Sequence, residues 1–161
     1  MDYGEKLIIR KASEDDWEDA MALAWKTFNR FVADDYSLQG VSNFQDFVTD
    51  NGLYKMFLIN EYHMWVAEYE GEIIGMISLR GGNHISLLFV DGRFHRKGVG
   101  TLLMTELWKF IAERGGDECT VNASPFGVSF YHRLGFEDTA EEYVQGGMRI
   151  TPMTVSLKGR V

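Results

Sequence analysis

The sequence contains one cysteine, Cys119, among 161 residues. A lone thiol excludes an internal disulfide and a cysteine metal cage. The four histidines, His63, His84, His95 and His132, stand at no metal-ligand spacing. No apolar stretch approaches the roughly 20 residues that a membrane span needs. Met1-Asp2-Tyr3-Gly4-Glu5-Lys6 lacks the charged-then-apolar pattern of a secretory signal, so the expected location is the cytoplasm. Basic charge is also in short supply. A net charge of −8 argues against a nucleic-acid partner, which needs clustered basic surface. It permits a cationic substrate. Repeats, low-complexity segments and linkers are absent, and the length fits one domain over residues 1–161.

What remains is an ordinary globular mix, 45% hydrophobic and 25% charged, with 14% aromatic residues that suit a large core or an aromatic-lined cleft. Residues 7–10 read as a strand. Ser13 reads as an N-cap, followed by Glu14, Asp15 and Asp16, whose charges complement a helix dipole. Trp17, Ala20, Met21, Ala24, Phe28 and Phe31 then recur at helical spacing. A second helix is expected over 40–49, and 53–60 fits a helix or irregular structure equally. Residues 63–69 and 72–79 read as strands about a Glu70-Gly71 turn, and 85–90 as another. The stripe Val99, Leu102, Leu103, Leu107, Phe110 and Ile111 predicts a helix that stops at Gly115-Gly116. A short strand is expected at 118–122, a helix from Pro125 to Gly135, and closing strands at 136–144 and 148–157. The pattern is a mixed sheet with helices on both faces.

One segment stands out. Arg93-Phe94-His95-Arg96-Lys97-Gly98-Val99-Gly100 reverses the sign of an acidic chain, between the strand at 85–90 and the next helix. A helix N-terminus offers unpaired N–H groups and a positive dipole end, and glycine lets an anion approach that backbone. Among phosphate motifs, G-x-x-x-x-G-K-[ST] fails because no Gly-Lys pair here is followed by Ser or Thr. The dinucleotide fingerprint fails because Leu103 stands at the third small position and too many residues separate Val90 from Gly98.

A third pattern fits. His95-Arg96-Lys97-Gly98-Val99-Gly100 resembles [QR]-x-x-G-x-[GA], the acetyl-CoA pyrophosphate loop of the GCN5-related N-acetyltransferases, with His at the first position instead of Gln or Arg. Asn122-Ala123-Ser124-Pro125-Phe126-Gly127-Val128-Ser129-Phe130-Tyr131-His132-Arg133-Leu134-Gly135-Phe136 resembles the later motif of the same family. The two occur in the family's order, and the resemblance covers nearly the whole chain.

The resemblance implies an α/β (α+β) fold: a single-domain acetyl-CoA N-acyltransferase-like architecture with a central, mostly antiparallel mixed sheet flanked by helices on both faces. It implies acetyl-CoA as cosubstrate, with no metal, and direct transfer of the acetyl group to an amine of a small-molecule or peptide acceptor in a ternary complex. The runner-up is a non-catalytic acyl-CoA-binding or sensor domain. It implies that two central strands part, and that Leu88, Phe89 and Val90 offer main-chain groups to the pantetheine arm. His95, Arg96, Lys97, Gly98, Val99, Gly100 and Thr101 would hold the pyrophosphate, mostly through backbone N–H; the bland reading is a solvated basic loop.

Tyr131 matches the family's general acid, since a phenol can protonate a departing thiolate; the alternative is a structural tyrosine. Asn122 either orients the cofactor or a water, or caps a strand end. Arg133 suits the nucleotide end or a plain surface. The base is open: His84, Ser86 and Glu68 are candidates, with a satisfied structural histidine as the alternative for His84. Asp34, Asp35 and Tyr36 fall in the loop that lines the acceptor site in the family. They suit an ammonium group, or form an acidic turn. Cys119 reads as a core residue. Pairing of two copies through C-terminal strands is a family habit that no residue here establishes.

Overall fold

The computed structural model describes residues 6–161. Local chemistry sets the first elements. Strand β1 (Leu7–Lys11) runs into a short 3-10 turn (Glu14–Asp16) and helix α1 (Trp17–Phe31). Asp16 anchors this junction, accepting from the Ser13 N–H at 2.7 Å and from both terminal nitrogens of Arg10 at 2.7 and 3.0 Å. Along α1, Ala20, Ala24 and Phe28 form the buried stripe that the spacing predicts. A second turn (Ala33–Asp35) leads to α2 (Leu38–Val48), whose first turn is capped by the Ser37 hydroxyl on the Gly40 N–H. Asp50 caps α3 (Asn51–Leu58) in the same way, accepting from Gly52 at 2.8 Å. That helix resolves the ambiguous stretch at 53–60.

Strands β2 (His63–Tyr69), β3 (Glu72–Arg80) and β4 (His84–Val90) form an antiparallel meander with β1 on its outer edge. The 3-10 turn Gly92–Phe94 and loop 95–98 lead into α4 (Val99–Glu113), then β5 (Glu118–Ala123) and α5 (Val128–Arg133). The chain closes with β6 (Glu137–Asp138), β7 (Tyr143–Gln145) and β8 (Met148–Ser156). The sheet order is β1-β2-β3-β4-β5-β8-β6, with β7 also on β8. All pairs are antiparallel except β4 with β5. The mostly antiparallel sheet flanked on both faces is thus the expected fold class.

The single strand expected over 136–144 is instead two short ones. Glu137 and Asp138 pair with Thr154 and Met153, and Thr139 N–H still donates to Pro152 O at 2.8 Å, but Pro152 has no N–H to return the bond and the ladder ends there. The chain leaves the sheet and rejoins at Tyr143, opposite Ile150.

Strand alternation divides the core. Met64, Val66, Met76 and Leu87 face α1 to α3, with Phe28 and Phe44 stacked at 3.9 Å above them. Trp65, Ala67, Ile77 and Leu79 face α4, against Val99, Leu103 and Leu107.

Two irregularities shape the centre of the sheet. On β4, Leu87 pairs with Ser78 and Ile85 with Leu79, so Ser86 is an extra residue, a β-bulge. On the other side β4 touches β5 only at His84 with Thr120 and Ile85 with Val121; beyond these the two strands part.

Candidate active site

The parting of β4 and β5 opens a splay, closed at Ile85 and Val121 and open toward Val90. Asp91 N–H donates to Ile74 O on β3. Peptide groups alternate along a strand, so Phe89 also turns its own to β3, while Leu88 and Val90 turn theirs into the splay. The expectation for Phe89 is corrected on this ground: its main chain is committed to β3, and its ring packs edge-on against Phe44 at 5.7 Å. Leu88 and the Val90 N–H face the gap; the Val90 carbonyl is taken by His95.

The basic loop begins at the open end. Asp91, 5% exposed, accepts from the backbone and guanidinium of Arg93 at 3.0 Å and lies 3.6 Å from Lys26. The Arg93 bonds, more than any other influence, hold its carboxyl down at about 2. Arg93 also binds Glu72 at 2.9 Å, so its charge serves the start of the loop. His95 is turned inward. A carbonyl only accepts, so its Nε2–H donates to Val90 O, at 2.5 Å. The His95 ring lies 4.7 Å from Phe31 and 6.0 Å from Phe126, which are 5.1 Å from each other. This explains how His replaces Gln or Arg at that position: it closes the last carbonyl of β4.

Arg96 and Lys97 are exposed and, among the described residues, form no ion pair. Arg96 has φ of 61° and Gly98 φ of 85°, so the loop turns back through two left-handed residues. Gly98 is the N-cap of α4 and its carbonyl accepts from Leu102 at 3.1 Å. The N–H groups of Val99, Gly100 and Thr101 precede that first helical bond and point out of the helix. The two glycines have different work. A Cβ on Gly98 would meet open space, so its need is conformational, whereas one on Gly100 would lie 3.1 Å from the Phe130 ring. Gly100 lets α5 close against α4.

Helix α5 brings Tyr131 into the buried cluster on the α4 face, 7% exposed, with Phe130 and Phe136 edge-on at 5.3 Å. Burial, then the neighbouring Cys119, pushes its phenol pKa up and keeps it protonated. Burial also pushes the Cys119 thiol up to about 12, so it is no nucleophile. His84 Nδ1 lies 2.8 Å from Thr120 Oγ1. Burial, then Arg80, lowers its pKa, which leaves the ring neutral at pH 7. Asn122 is the first β5 residue past the contact with β4, exposed, between the inward Val121 and Ala123. Arg133, in the last turn of α5, is exposed.

Glu68 does not reach the splay; it bonds Arg10 at 3.0 Å, on the far side of β3. The acceptor-loop residues are only partly free. Asp35 pairs with Arg149 at 3.3 Å, and Arg149 also holds Glu142. Tyr36 packs on Phe28 at 5.4 Å, and burial, then Asp35, pushes its hydroxyl up to about 12. Asp34 is exposed and, among the described residues, unpaired. This loop rests on the β7–β8 turn, where Ser37 N–H donates to Gly147 O at 3.0 Å and Asn43 Nδ2 to Gly146 O at 2.8 Å.

Sequence reasoning passed over Tyr62. Buried to 1%, its hydroxyl lies 2.6 Å from Ser78 Oγ and donates to Ser86 Oγ at 3.0 Å. The signal available was a polar pair, Ser78 and Ser86, inside two apolar strands.

A parallel strand pair that parts beside the N-terminus of a helix makes a cleft lined by outward-facing peptide groups and helix N–H groups. Comparison supplies the family. The family described as Acetyltransferase (GNAT) domain matches residues 32–157. An uncharacterised N-acetyltransferase of Escherichia coli (strain K12), YafP, is 28% identical over 137 residues, 85% of each chain. The GCN5-related N-acetyltransferase structure from Rhodopseudomonas palustris superposes with a TM-score of 0.82 at 26% identity, covering 98% of this chain and 99% of that one. The PaiA N-acetyltransferase from Thermoplasma acidophilum, in complex with coenzyme A, shares the fold with a TM-score of 0.77 at 21% identity, over 93% and 98% of the two chains. The chain belongs to the GCN5-related N-acetyltransferases, and its class of activity is acetyl-CoA-dependent acyl transfer. Among the described residues no helix is long and apolar enough to cross a membrane, and no cluster of His, Cys, Asp or Glu could hold a metal.

Proposed function

We propose that this protein transfers the acetyl group of acetyl-CoA directly to an amine, with donor and acceptor bound together. The observation that carries the reading is the splay: β4 leaves β5 after Ile85, turns the Leu88 and Val90 peptides into the gap, and ends at the loop that precedes α4. Val99, Gly100 and Thr101 N–H groups, with Arg96 and Lys97 beside them, suit the pyrophosphate. Leu88 and Val90 suit the amides of the pantetheine arm. Strand rise puts the closed end about 13 Å from Val90, the order of length of that arm extended.

Such a reaction demands chiefly positioning. The residues then manage protons. Tyr131, kept neutral by burial, supplies one to the departing thiolate. His84 offers a neutral imidazole to take one from the amine. Asn122 borders the gap on β5 and orients a water or the thioester. Asp34 and the half-buried Tyr36 suit an acceptor that carries a second positive charge. The location we infer is the cytoplasm.

The test is calorimetric titration with acetyl-CoA, with ATP and NADH as controls, followed by thiol-release assays on a panel of amines that starts with diamines. Binding of acetyl-CoA alone, with turnover of an amine, supports the reading. Binding without turnover of any amine replaces it with an acyl-CoA sensor. No binding by folded protein removes the assignment of the splay.

A further inference from the structure

The bulge on β4 does something specific. By inserting Ser86 into the strand, it turns that side chain to the α1 face, where it meets Tyr62, the residue before β2. Tyr62 has one hydroxyl hydrogen, and it goes to Ser86 Oγ at 3.0 Å. The 2.6 Å contact between Tyr62 and Ser78 is then a donation from Ser78. The result is a one-way chain, Ser78 to Tyr62 to Ser86. Two of its members, at 0% and 1% exposure, are sealed from water. Trp17 packs edge-on against the Tyr62 ring at 6.0 Å and holds it there.

Each donation polarises the next hydroxyl, and in a dry setting the last becomes a stronger donor. The last hydrogen belongs to Ser86. Of the three residues it alone is half-exposed, and it lies one residue beyond Ile85, where β4 and β5 part. Tyr131 belongs to the buried cluster on the α4 face that also holds Ile85 and Val121. A chain of hydroxyls has no member able to keep a proton, so it cannot serve as a base; what it can do is donate.

We propose that Ser86 donates a hydrogen bond to the thioester carbonyl oxygen, and that Tyr62 and Ser78 are positioning residues that aim and polarise it. This rests on the reading of the splay as the acetyl-CoA site. When the amine nitrogen bonds to the carbonyl carbon, the C=O π pair moves to oxygen, and Ser86 meets the charge that forms there. The nitrogen gives up its proton to His84; when the oxyanion collapses, the C–S bond breaks and sulfur leaves with its pair, to be protonated by Tyr131.

The test is isotope-edited infrared spectroscopy of acetyl-CoA labelled with carbon-13 at the carbonyl and bound to the protein, paired with kinetics. In the wild type the bound carbonyl stretch lies below that of free acetyl-CoA. Ser86→Ala returns it toward the free value with the acetyl-CoA Kd within twofold, and lowers kcat about 10²- to 10³-fold, the loss expected for one oxyanion donor. Tyr62→Phe keeps the packing, shifts the stretch part of the way, and lowers kcat with KM unchanged. Ser86→Thr restores both stretch and rate. An unmoved stretch in Ser86→Ala overturns the role of Ser86 while leaving the splay assignment intact. A wild-type protein that shows no bound carbonyl band overturns both.

Discussion

The imidazole of His95 donates to the Val90 carbonyl across 2.5 Å, and so occupies one of the two peptide edges that β4 presents to the splay. A pantetheine amide that needs this carbonyl must displace the ring. The net worth of such a bond is about 1 kcal/mol, roughly a fivefold change in an equilibrium. His95→Ala is therefore expected to tighten acetyl-CoA binding about fivefold by calorimetry. It also removes a ring from the Phe31 and Phe126 cluster, so the Tm falls by a few degrees. A tenfold weaker Kd in the folded variant would instead make His95 itself a phosphate ligand.

The two glycines of the loop separate by measurement. Gly98→Ala forces a Cβ onto a φ of 85°, a strain of about 1–2 kcal/mol. The chain relieves it by moving the N–H groups of Val99 to Thr101, and acetyl-CoA affinity is expected to fall at least tenfold. Gly100→Ala brings a Cβ to 3.1 Å from Phe130, next to Tyr131. Its main effect is expected on kcat and Tm, with a smaller change in Kd. Equal losses of affinity in both variants would contradict the division of labour.

Tyr131→Phe is expected to lower kcat about 10²- to 10⁴-fold, the range for one positioned acid, with the acetyl-CoA Kd unchanged. Burial raises the phenol above its ordinary value, so the wild-type rate keeps its acid well past pH 10. The sign for stability is the same. A folded pKa above the unfolded one gives a contribution fully present below pH ~10 and lost as pH rises through the folded value. An alkaline fall in kcat near pH 9 that is absent in Tyr131→Phe would show a phenol titrating too early for this site.

Periodicity and turn chemistry made the helices and the meander legible, because α1 and α4 each carry one unbroken apolar stripe and β2 to β4 lie between glycine turns. The loop and the Tyr131 segment were legible as family motifs. What the sequence did not carry was direction. Nothing local says that Phe89 turns its peptide to β3 while its neighbours turn theirs away; that depends on register. The fate of each charge in the loop depends on partners far along the chain, as with Arg93 on Glu72 and Asp35 on Arg149. Pro152 broke a strand that lies 14 residues or more before it in the sequence, through a missing donor across the ladder.

His63 carries the last prediction, one of stability. It is 7% exposed, 4.5 Å from the Phe110 ring, and among the described residues its Nδ1 has no partner. Lys11 Nζ lies 4.5 Å and the Arg114 guanidinium carbon 4.0 Å from the same ring. Burial, then Lys11 and Arg114, lowers the imidazole pKa to about 4. The unfolded chain takes up this proton near pH 6.5, so stability is fully present above that value and is lost as pH falls toward 4. Between pH 7 and 4.5 this one group should cost on the order of 2 kcal/mol. Urea unfolding at both values tests it, with His63→Phe as the control in which every carboxylate still titrates. The variant is expected to lose about 2 kcal/mol less than the wild type over that interval. Equal losses would mean that the ring is already protonated in the fold, and that a counter-charge sits beside Lys11 and Arg114.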